Sequence, residues 1–262
     1  MNGSGRTGWD QHAWHLVHAG PQAPALHMAL DDVMLDDVAA GRRPPTLRIW
    51  EWGASAVVMG RFQSLRNEVD AEAAHRHGIQ VVRRISGGGA MFIEPGNTIT
   101  YSIVAPDTLV AGMTFEQAYA HMDQWVIEAL AGLGVKAWYQ PLNDITSSDG
   151  KIAGAAQTRR RGAVLHHVTM AYDIDANRML DVLRIGREKL SDKGTTSALK
   201  RVDPLRRQTG LPRSAVIEHM IATFRSRHGG LVPDVLRADE LSRAEALARD
   251  KFATAEWTAL LP

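Results

Sequence analysis

The chain has 262 residues, 45% of them hydrophobic and 23% charged, with a formal net charge of +1 and no cysteine. Its length and composition are ordinary for a globular chain that buries a sizeable core, and its charge indicates no general affinity for polyanions. Without cysteine, disulfides, cysteine-ligated zinc, iron–sulfur clusters and a thiol nucleophile are all excluded.

The start of the chain carries no recognisable targeting signal. Residues 1–10 predict a flexible segment, and no apolar core of a signal peptide accompanies them. No run of residues reaches the roughly 18 uncharged apolar positions that would predict a membrane span. We therefore expect a cytoplasmic protein with no membrane partner and no nucleic-acid partner.

The first elements are a strand, a helix and two further strands. Residues 13–20 predict a short strand, and apolar residues at helical spacing predict a helix over 24–39 with Pro24 in its first turn. Apolar runs predict strands over 46–52 and 55–63, joined by a short turn.

The middle of the chain continues in the same way. The sequence predicts a short helix over 67–77, a strand over 79–85 and a strand over 98–106. A stripe of apolar residues then predicts a long amphipathic helix over 114–133.

Strands around 135–140, 151–157 and 163–174 come next, and the remainder of the chain is mainly helical. Strands outnumber helices, and neighbouring strands look hairpin-linked. This pattern favours an α+β fold with a mixed, largely antiparallel central sheet flanked by helices over a doubly wound parallel sheet.

Three consecutive glycines in RRISGGGAMF interrupt two strand-like segments. The spacing matches neither the P-loop nor the dinucleotide-binding motif. The backbone N–H groups from Ser86 to Gly89 could converge on an anion. Arg83 and Arg84 precede the loop, and in a strand they point to opposite faces, so one of them can join the site. The alternative is a glycine-rich bulge beside solvated arginines.

The stretch NDITSSDGKIAGAAQ is a second candidate site. Asp149-Gly150 is a hairpin turn signal, and Lys151 begins the returning strand. Asn143 and Asp144 should then lie near Lys151, as a sparse magnesium site of one carboxylate and one amide. The small residues that follow would let a flat ligand approach the backbone. The alternative is a polar hairpin tip with a solvated lysine.

Several charged positions have simpler interpretations. Asp31, Asp32, Asp36 and Asp37 are expected to form the solvated face of the first helix, with Asp31 a candidate for a contact with the sheet. The arginine run 159–161 is interpreted as a solvated face, although it could also face an acidic partner or a triphosphate. His166 and His167 should point to opposite faces of their strand, one lining a site and the other packing.

Six segments, in order along the chain, resemble the lipoate–protein ligase family of the biotin/lipoate ligase fold. They are PALHMALDDVML (24–35), VVMGRFQ (57–63), RRISGGGAMF with PGNTITYSI (83–103), NDIT with GKIAGAAQ (143–157), LHHVTMAYDID (165–175) and KLSDKGTTSALKRV (189–202). The resemblance covers most of the chain and implies one catalytic domain over 1–262.

The resemblance implies a two-step reaction. Lipoate and ATP, with Mg²⁺, give lipoyl-adenylate, and the acyl group passes to a lysine of a lipoyl carrier domain, of the 2-oxoacid dehydrogenase E2 or glycine cleavage H protein type. Lys151 matches the family's essential lysine. The residues implied to bind the acyl-adenylate are Arg84, Ser86, Gly87, Gly88, Gly89, Ala90, Gly154 and His167. Those implied to bind ATP are Asn97, Asn143, Asp144, Ala153, Ala155 and Ala156, with Asp144 also holding the metal.

The chain departs from the family pattern in three places, one of which is the arginine run 159–161 described above. Ile93-Glu94 stands where the family usually has His-Asp, which puts the acyl preference, lipoate or octanoate, in question. The C-terminal accessory domain of the longer ligases is absent from the sequence, which predicts either activity alone or dependence on a separate accessory protein.

Three rivals remain. An octanoyl- or lipoyl-transferase of the same fold typically forms a thioester on its own cysteine and tends to break the glycine triplet, whereas this chain has no cysteine and keeps Gly89. Biotin–protein ligase has a different glycine motif. A non-catalytic lipoate-binding module would be expected to lose the lysine, and Lys151 is present.

Overall fold

The computed structural model describes residues 8–184 and 202–261. Its strands are β1 (His15–His18), β2 (Thr46–Trp50), β3 (Ala56–Met59), β4 (Gln80–Arg83), β5 (Met91–Ile93), β6 (Thr98–Pro106), β7 (Trp138–Gln140), β8 (Asp144–Ser147), β9 (Gly150–Arg160), β10 (Ala163–Ala171) and β11 (Val232–Asp234). The segment 189–202, which resembles a family motif, lies outside the described residues except for Val202.

The described helices are α1 (Pro24–Ala39), α2 (Leu65–Glu68), α3 (Ala71–Arg76), α4 (Phe115–Gly132), α5 (Ala176–Val182), α6 (Leu205–Thr209), α7 (Arg213–Arg227), α8 (Ala238–Leu247) and α9 (Ala255–Thr258). Short 3₁₀ turns cover Gly8–Gln11 and Asp107–Val110, and a π turn at Ala248–Phe252 follows α8. Within these residues, no helix has the length and apolar character needed to cross a membrane.

An eight-stranded sheet in the order β11-β1-β2-β6-β10-β9-β8-β7 forms the centre of the fold. β1 runs parallel to β2 and β11, and the other neighbours are antiparallel. Helices α4 and α7 pack on one face of this sheet, and α1 packs on the other face together with α8. The predicted α+β class and the mixed, largely antiparallel sheet are confirmed.

A second, three-stranded sheet in the order β4-β3-β5 was not predicted. The predicted pairing of 46–52 with 55–63 is wrong, because β2 lies in the large sheet and β3 in the small one. The chain turns away after β2, where the Gly53 N–H donates to the Gln22 carbonyl at 2.8 Å. A Cβ on Gly53 would lie 3.0 Å from that carbonyl oxygen, so the turn requires a close backbone approach.

Two further local predictions are corrected. The helix predicted over 67–77 is split into α2 and α3, because Val69 is extended and bridges to Leu183, and Asp70 then caps α3. The flexible start predicted over 1–10 is wrong at residues 8–10. Trp9 is buried and stacks on Trp14, which fixes the first described turn in the core.

The solvated face predicted for α1 is wrong at Asp32 and Asp37, whereas the contact of Asp31 with the sheet is observed. Asp31, Asp32 and Asp37 are buried, because α1 lies between the large sheet and α8. Each carboxylate meets at least one cation: Arg48 at Asp31, Arg160 and Lys251 at Asp32, and the nearby Arg42 with the distant Arg243 at Asp37. Within the arginine run 159–161, Arg160 therefore belongs to this network instead of to a solvated face.

Candidate active site

The predicted hairpin at Asp149-Gly150 joins β8 to β9 and brings Lys151 back beside Asp144. The Lys151 Nζ lies 2.6 Å from the Asp144 Oδ1, and both side chains are partly exposed. Asp144 pairs with Gly154 across the two strands. A Cβ on Gly154 would lie 3.1 Å from the Lys151 Nζ, so the glycine leaves the space in which the lysine folds back over the strand.

The amide of Asn143 is used within the protein. Its Nδ2 donates to the Ala155 carbonyl at 2.6 Å, and the main-chain carbonyl of Asn143 accepts the Ala155 N–H at 2.8 Å. Asn143 thus extends the hairpin ladder beyond Asp144. This position places it next to the Lys151–Asp144 pair and leaves its side-chain oxygen as the group that could reach a ligand.

The small residues of β9 divide between two faces of the sheet. Gly154 and Ala156 pair with Thr169 and His167 of β10. Ala153 and Ala155 instead pack in the main core against the α4 side, so their methyl groups do not face the same side as Gly154 and Ala156. We call the surface formed by Gly154, Ala156, His167 and Thr169 the site face.

A cavity of about 180 Å³ lies on the site face, between β5, the start of β9 and helix α5. Its lining is mainly apolar, with Lys151 and Thr169 as polar members. The lining residues are Ala90, Met91, Phe92, Lys151, Ile152, Ala153, Gly154, Thr169, Ala171, Ile174, Met179, Leu183 and Val202. Apolar walls that end at one cation suit a chain with a carboxylate at its end.

The glycine loop, residues 86–90, covers the site face beside this cavity. A Cβ on Gly88 would lie 3.8 Å from the Cβ of Ala156, so the loop is in contact with β9. The two arginines that precede the loop do point apart. Arg83 is buried and donates to the carbonyls of Gly60 and Gln63 at 3.0 and 2.6 Å, which stabilises the turn that follows β3.

Arg84 is buried beneath the glycine loop and donates hydrogen bonds to the carbonyls of the loop. Its Nη2 donates to the carbonyls of Gly87 and Gly89 at 2.6 and 2.9 Å, and its Nε donates to the Ser86 Oγ at 3.1 Å. Burial lowers the pKa of this guanidinium to about 10, which still leaves it charged at neutral pH. Arg84 was predicted to hold ligand oxygens, but most of its donors are already committed to the loop.

The same contacts turn the amides of the loop outward. The Ser86 carbonyl accepts the Arg61 N–H at 2.8 Å, and the Gly87 and Gly89 carbonyls accept from Arg84. The loop peptides are trans, so each N–H points opposite to the carbonyl of the same peptide unit. The N–H groups of Gly88 and Ala90 therefore point away from Arg84, and the Gly87 N–H points away from the Arg61 amide. Residues 8–184 and 202–261 supply no acceptor for these three N–H groups.

The glycines of the loop have different reasons to lack a side chain. Gly88 has a φ of +92°, and a Cβ there would lie 2.9 Å from the Arg84 Nη2. Gly60 must also be bare, because its Cβ would lie 2.0 Å from the Gly88 carbonyl oxygen. A Cβ on Gly89 would meet no described atom within 4 Å. Gly88 is therefore required by the protein itself, whereas Gly89 borders open space that a ligand could enter.

Ser86 and His167 belong to a buried chain of hydrogen bonds. The His167 Nε2 lies 2.6 Å from the Ser86 Oγ, and its Nδ1 lies 2.8 Å from the Asp31 Oδ2. Burial lowers the pKa of His167 below its usual value, against the opposing effect of Asp31. Burial alone would raise the pKa of Asp31, but the guanidinium of Arg48 and the bond to His167 outweigh it and lower that pKa.

Asn97 does not join the predicted nucleotide segment. Its Oδ1 accepts the Glu94 N–H at 2.8 Å and its Nδ2 donates to the Glu94 carboxylate at 3.2 Å, so the side chain closes the turn between β5 and β6. Glu94, which stands where the family usually has aspartate, also binds Arg178 at the surface. Ile93 is buried in the core under the small sheet.

The predicted magnesium site consists of one carboxylate and one amide. One oxygen of Asp144 is held by Lys151, and the Asn143 Nδ2 is bonded to the Ala155 carbonyl, which leaves the amide oxygen of Asn143 for a ligand. Within the described ranges, no three histidine, aspartate or glutamate side chains form a cluster. The magnesium site therefore stays a prediction, and an ion there would need water or phosphate oxygens as its other ligands.

Sequence reasoning missed the residues that support the loop. Gly60 was quoted within VVMGRFQ, but its contact with Gly88 depends on the pairing of two strands that the sequence does not reveal. Arg48 and Ser102 hold Asp31 at 2.8 and 3.0 Å, and the alternation within their strands gave no sign of this partner. The opposite orientations of His166 and His167 were predictable and are observed.

Comparisons with known proteins agree with this geometry. Residues 23–225 match the family described as the lipoyl protein ligase A/B catalytic domain. Octanoyltransferase LipM of Geobacillus kaustophilus is 28% identical over 273 residues, which cover 93% of this chain and 97% of that protein. The bi-partite lipoate protein ligase of Thermoplasma acidophilum has a TM-score of 0.84 at 28% identity, with 96% of this chain and 98% of that chain covered. Lipoate-protein ligase A bound with ATP has a TM-score of 0.80 at 25% identity, with 96% and 99% covered.

Proposed function

The chain belongs to the lipoyl protein ligase A/B catalytic-domain family, and we propose that it activates lipoate with ATP and transfers the lipoyl group to a lysine of a carrier domain. Family membership supports transfer of lipoyl or octanoyl groups, and the use of ATP is the finer part of the proposal. The observation that carries it is that Lys151 and Ala90, the last residue of the glycine loop, line the same cavity, while the loop amides have no acceptor among the described residues.

The two groups suit the charge that develops in adenylate formation. A carboxylate oxygen of lipoate attacks the α-phosphorus of ATP, the bond to the β-phosphate oxygen breaks, and pyrophosphate leaves with the electron pair. Negative charge then lies on the α-phosphate oxygens. The Lys151 ammonium and the amides of Gly88 and Ala90 are fixed donors for such charge, and fixed donors avoid the reorganisation that water requires.

Asp144 has a positioning role in this scheme. Its carboxylate holds the Lys151 Nζ at 2.6 Å, so the ammonium is directed before substrate binds. In the second step the carrier lysine, as a free amine, attacks the acyl carbon. The bond between the acyl carbon and the phosphate oxygen breaks, AMP leaves, and the amine proton passes to solvent. No covalent enzyme intermediate is needed, which agrees with a chain that has no cysteine.

The substrates have different surroundings in this proposal. The lipoyl chain occupies the apolar cavity on the site face, with its carboxylate toward Lys151. The nucleotide lies along the hairpin, where Gly154 and Ala156 leave the backbone open and Asn143 stands at the edge. Ala153 and Ala155, which were also predicted to bind ATP, contribute at most their backbone atoms because their side chains pack in the core.

The second candidate is an octanoyltransferase, favoured by the names of relatives such as the Geobacillus protein. Such an enzyme would take its acyl group from a carrier thioester without ATP. An acyl-cysteine intermediate is excluded here by composition, so the transfer would have to be direct or use another nucleophile. A third outcome, lipoate binding without any reaction, would describe a non-catalytic module.

The test is the intact mass of a lipoyl carrier domain after incubation with this protein. One arm contains lipoate, ATP and Mg²⁺, a second omits ATP, and a third supplies an octanoyl carrier thioester without ATP. We expect a lipoyl-sized increase in the first arm alone, and none with the Lys151→Ala variant. An octanoyl-sized increase in the third arm alone would replace the ligase with the transferase.

The partner follows from the same chemistry. The acceptor is a carrier domain of the E2 or glycine cleavage H protein type, as the resemblance implies. The Thermoplasma ligase is described as bi-partite, together with its E2 lipoyl domain, so a separate accessory protein is the alternative if this chain does not complete the transfer alone. Pyrophosphate release without a mass increase on the carrier domain would show that activation works and that such a protein is missing.

A further inference from the structure

A buried chain of four side chains leads from helix α1 to the glycine loop. It runs from Asp31 through His167 and Ser86 to Arg84, with contacts of 2.8, 2.6 and 3.1 Å. All four residues are at most 4% exposed. Chains of this kind are costly to leave incomplete, because each unpaired buried donor or acceptor loses its hydration without compensation.

The charge of Asp31 fixes the direction of every hydrogen bond in this chain. A carboxylate only accepts, so the Nδ1 of His167 must carry the proton that lies between them. The Nε2 of the neutral ring is then an acceptor, and the Ser86 hydroxyl must donate to it. The Ser86 oxygen is left free to accept from the Nε of Arg84. Through these three successive contacts, the Asp31 carboxylate sets the orientation of the Arg84 guanidinium.

The orientation of Arg84 in turn sets the glycine loop. The Nε of Arg84 is shared between the Ser86 Oγ at 3.1 Å and the Gly87 carbonyl at 3.2 Å, and its Nη1 donates to the Val58 carbonyl at 3.2 Å. Together these contacts direct its Nη2 toward the carbonyls of Gly87 and Gly89. Those two bonds turn the N–H groups of the following peptides outward. A rotated guanidinium would release the carbonyls, and the amides would lose their common orientation.

We infer that Asp31 and His167 are positioning residues that act through Ser86 and Arg84 to keep the glycine-loop amides aimed at substrate oxygens. Neither residue needs to touch substrate for this role. The effect on the loop stands on the observed contacts alone, whereas its effect on activation rests on the proposed function. The inference also gives Ser86 a defined task, which is to relay the orientation and not to act as a nucleophile.

The strand that carries His167 also supplies the matched control. His166 is its neighbour, is equally buried, and has its Nε2 2.7 Å from the carboxylate of Asp123 on the opposite face. His167→Asn retains an amide near the position of Nδ1 and removes the contact of Nε2 with Ser86. His166→Asn likewise removes the Nε2 contact, but with Asp123, which has no connection to the loop among the described residues.

The experiment compares both variants with the unchanged protein by amide NMR and by lipoate-dependent activation. We expect His167→Asn to shift and broaden the signals of Gly88, Gly89 and Ala90, and to lower kcat for activation by about 10- to 100-fold with little change in KM. His166→Asn should leave those signals and kcat unchanged. Ser86→Ala, which removes a single hydroxyl, should reproduce the loop signals of His167→Asn and provides the test if that variant does not fold.

Equal loop signals in His166→Asn and His167→Asn would overturn the inference, as would unshifted loop amides in Ser86→Ala. The NMR result does not depend on ATP chemistry. A protein that shows the predicted shifts but no activation with ATP would therefore contradict the proposed function and leave the positioning role intact. Activation with unshifted amides would do the reverse.

Discussion

The two sides of strand β10 each carry a buried histidine–aspartate pair, but only one of the pairs is connected to the glycine loop. His166 and His167 are adjacent, both are buried, and each ring lies within 2.8 Å of an aspartate carboxylate. The pair of His166 with Asp123 lies in the core beside α4. The pair of His167 with Asp31 continues through Ser86 to an exposed loop. Burial and pairing therefore do not identify a functional histidine, whereas the partner of its second nitrogen does.

The two histidine–aspartate pairs also differ in how completely their carboxylates are bonded. On the α4 side, the Asp123 Oδ2 is buried and has no partner among the described residues. On the site face, both oxygens of Asp31 are bonded, to Arg48 and Ser102 on one side and to His167 on the other. A fully bonded network fixes geometry, which a site needs and a packed core does not.

The largest expected effect comes from the hairpin on the site face. Lys151→Ala should lower lipoate-dependent pyrophosphate release by at least about 10²- to 10³-fold, because a fixed cation is lost from the developing charge. The side chain is nearly half exposed, so the free energy of unfolding should change little. The control is Lys136→Ala, an exposed lysine before β7. Equal pyrophosphate release from the two variants would remove Lys151 from the mechanism.

Arg84→Lys tests the hydrogen bonds that Arg84 donates to the glycine loop. An ammonium cannot span the carbonyls of Gly87 and Gly89 while also meeting Ser86, so we expect about 10²-fold slower activation and about 1–3 kcal/mol lower stability. Arg178→Lys, at an exposed pair with Glu94, is the control and should match the unchanged protein in both assays. Full activation by Arg84→Lys would show that the loop amides need no such support.

Gly89→Ala places a methyl group where the structure has open space beside the loop. Gly89 does not have a left-handed backbone, so the substitution should leave the thermal midpoint unchanged. If substrate lies against this loop, activation should fall about 10-fold, through the loss of close approach. Gly20→Ala, also in open space but distant in sequence, is the control. Normal kinetics in Gly89→Ala would place the ligand elsewhere.

On the opposite face the expected effect is one of stability alone. Asp123→Ala leaves the Nε2 of His166 without its partner and should lower the free energy of unfolding by about 1–3 kcal/mol, measured by urea titration. The kinetics of the folded fraction should stay unchanged, because no described contact links this pair to the loop. A loss of kcat in the folded Asp123→Ala protein would contradict the prediction that this face contributes to stability alone.

A separate effect on stability concerns pH and not the kinetics. Burial, followed by the nearby Arg48, lowers the pKa of His27 to about 3. The unfolded chain therefore binds more protons than the folded protein between pH 6.5 and about 3, and the stabilisation present above pH 6.5 is lost as the pH falls through this window. His27→Gln should reduce the loss of the free energy of unfolding as the pH falls from 6.5 to about 3. An unchanged slope would show that His27 does not contribute to it.

The sequence predicted local elements better than their partners. The helix over 24–39 and the strand over 98–106 are observed with the predicted bounds, because each carries a strong periodic pattern and Pro24 marks the helix start. The hairpin at Asp149-Gly150 likewise predicted that Asp144 lies beside Lys151. The predicted helix over 67–77 failed, because Val69 pairs with the distant Leu183, which no local pattern reveals.

The same limit applies to the site. The glycine run indicated a loop with free amides, and the alternation of β10 separated His166 from His167. The task of Arg84 could not be predicted, because it depends on which way the Gly87 and Gly89 carbonyls turn. The burial of Asp31 also required knowing that Arg48 lies beneath α1. Contacts between distant segments decide these features, and a single sequence does not contain them.

We propose that the site face activates a carboxylic acid with ATP. The most direct measurement is lipoate-dependent exchange of labelled pyrophosphate into ATP by the protein alone, with Lys151→Ala as the blank. We predict exchange that requires lipoate and disappears in the variant. If no exchange occurs while the protein moves an octanoyl group from a carrier thioester to a lipoyl carrier domain without ATP, activation by ATP is contradicted.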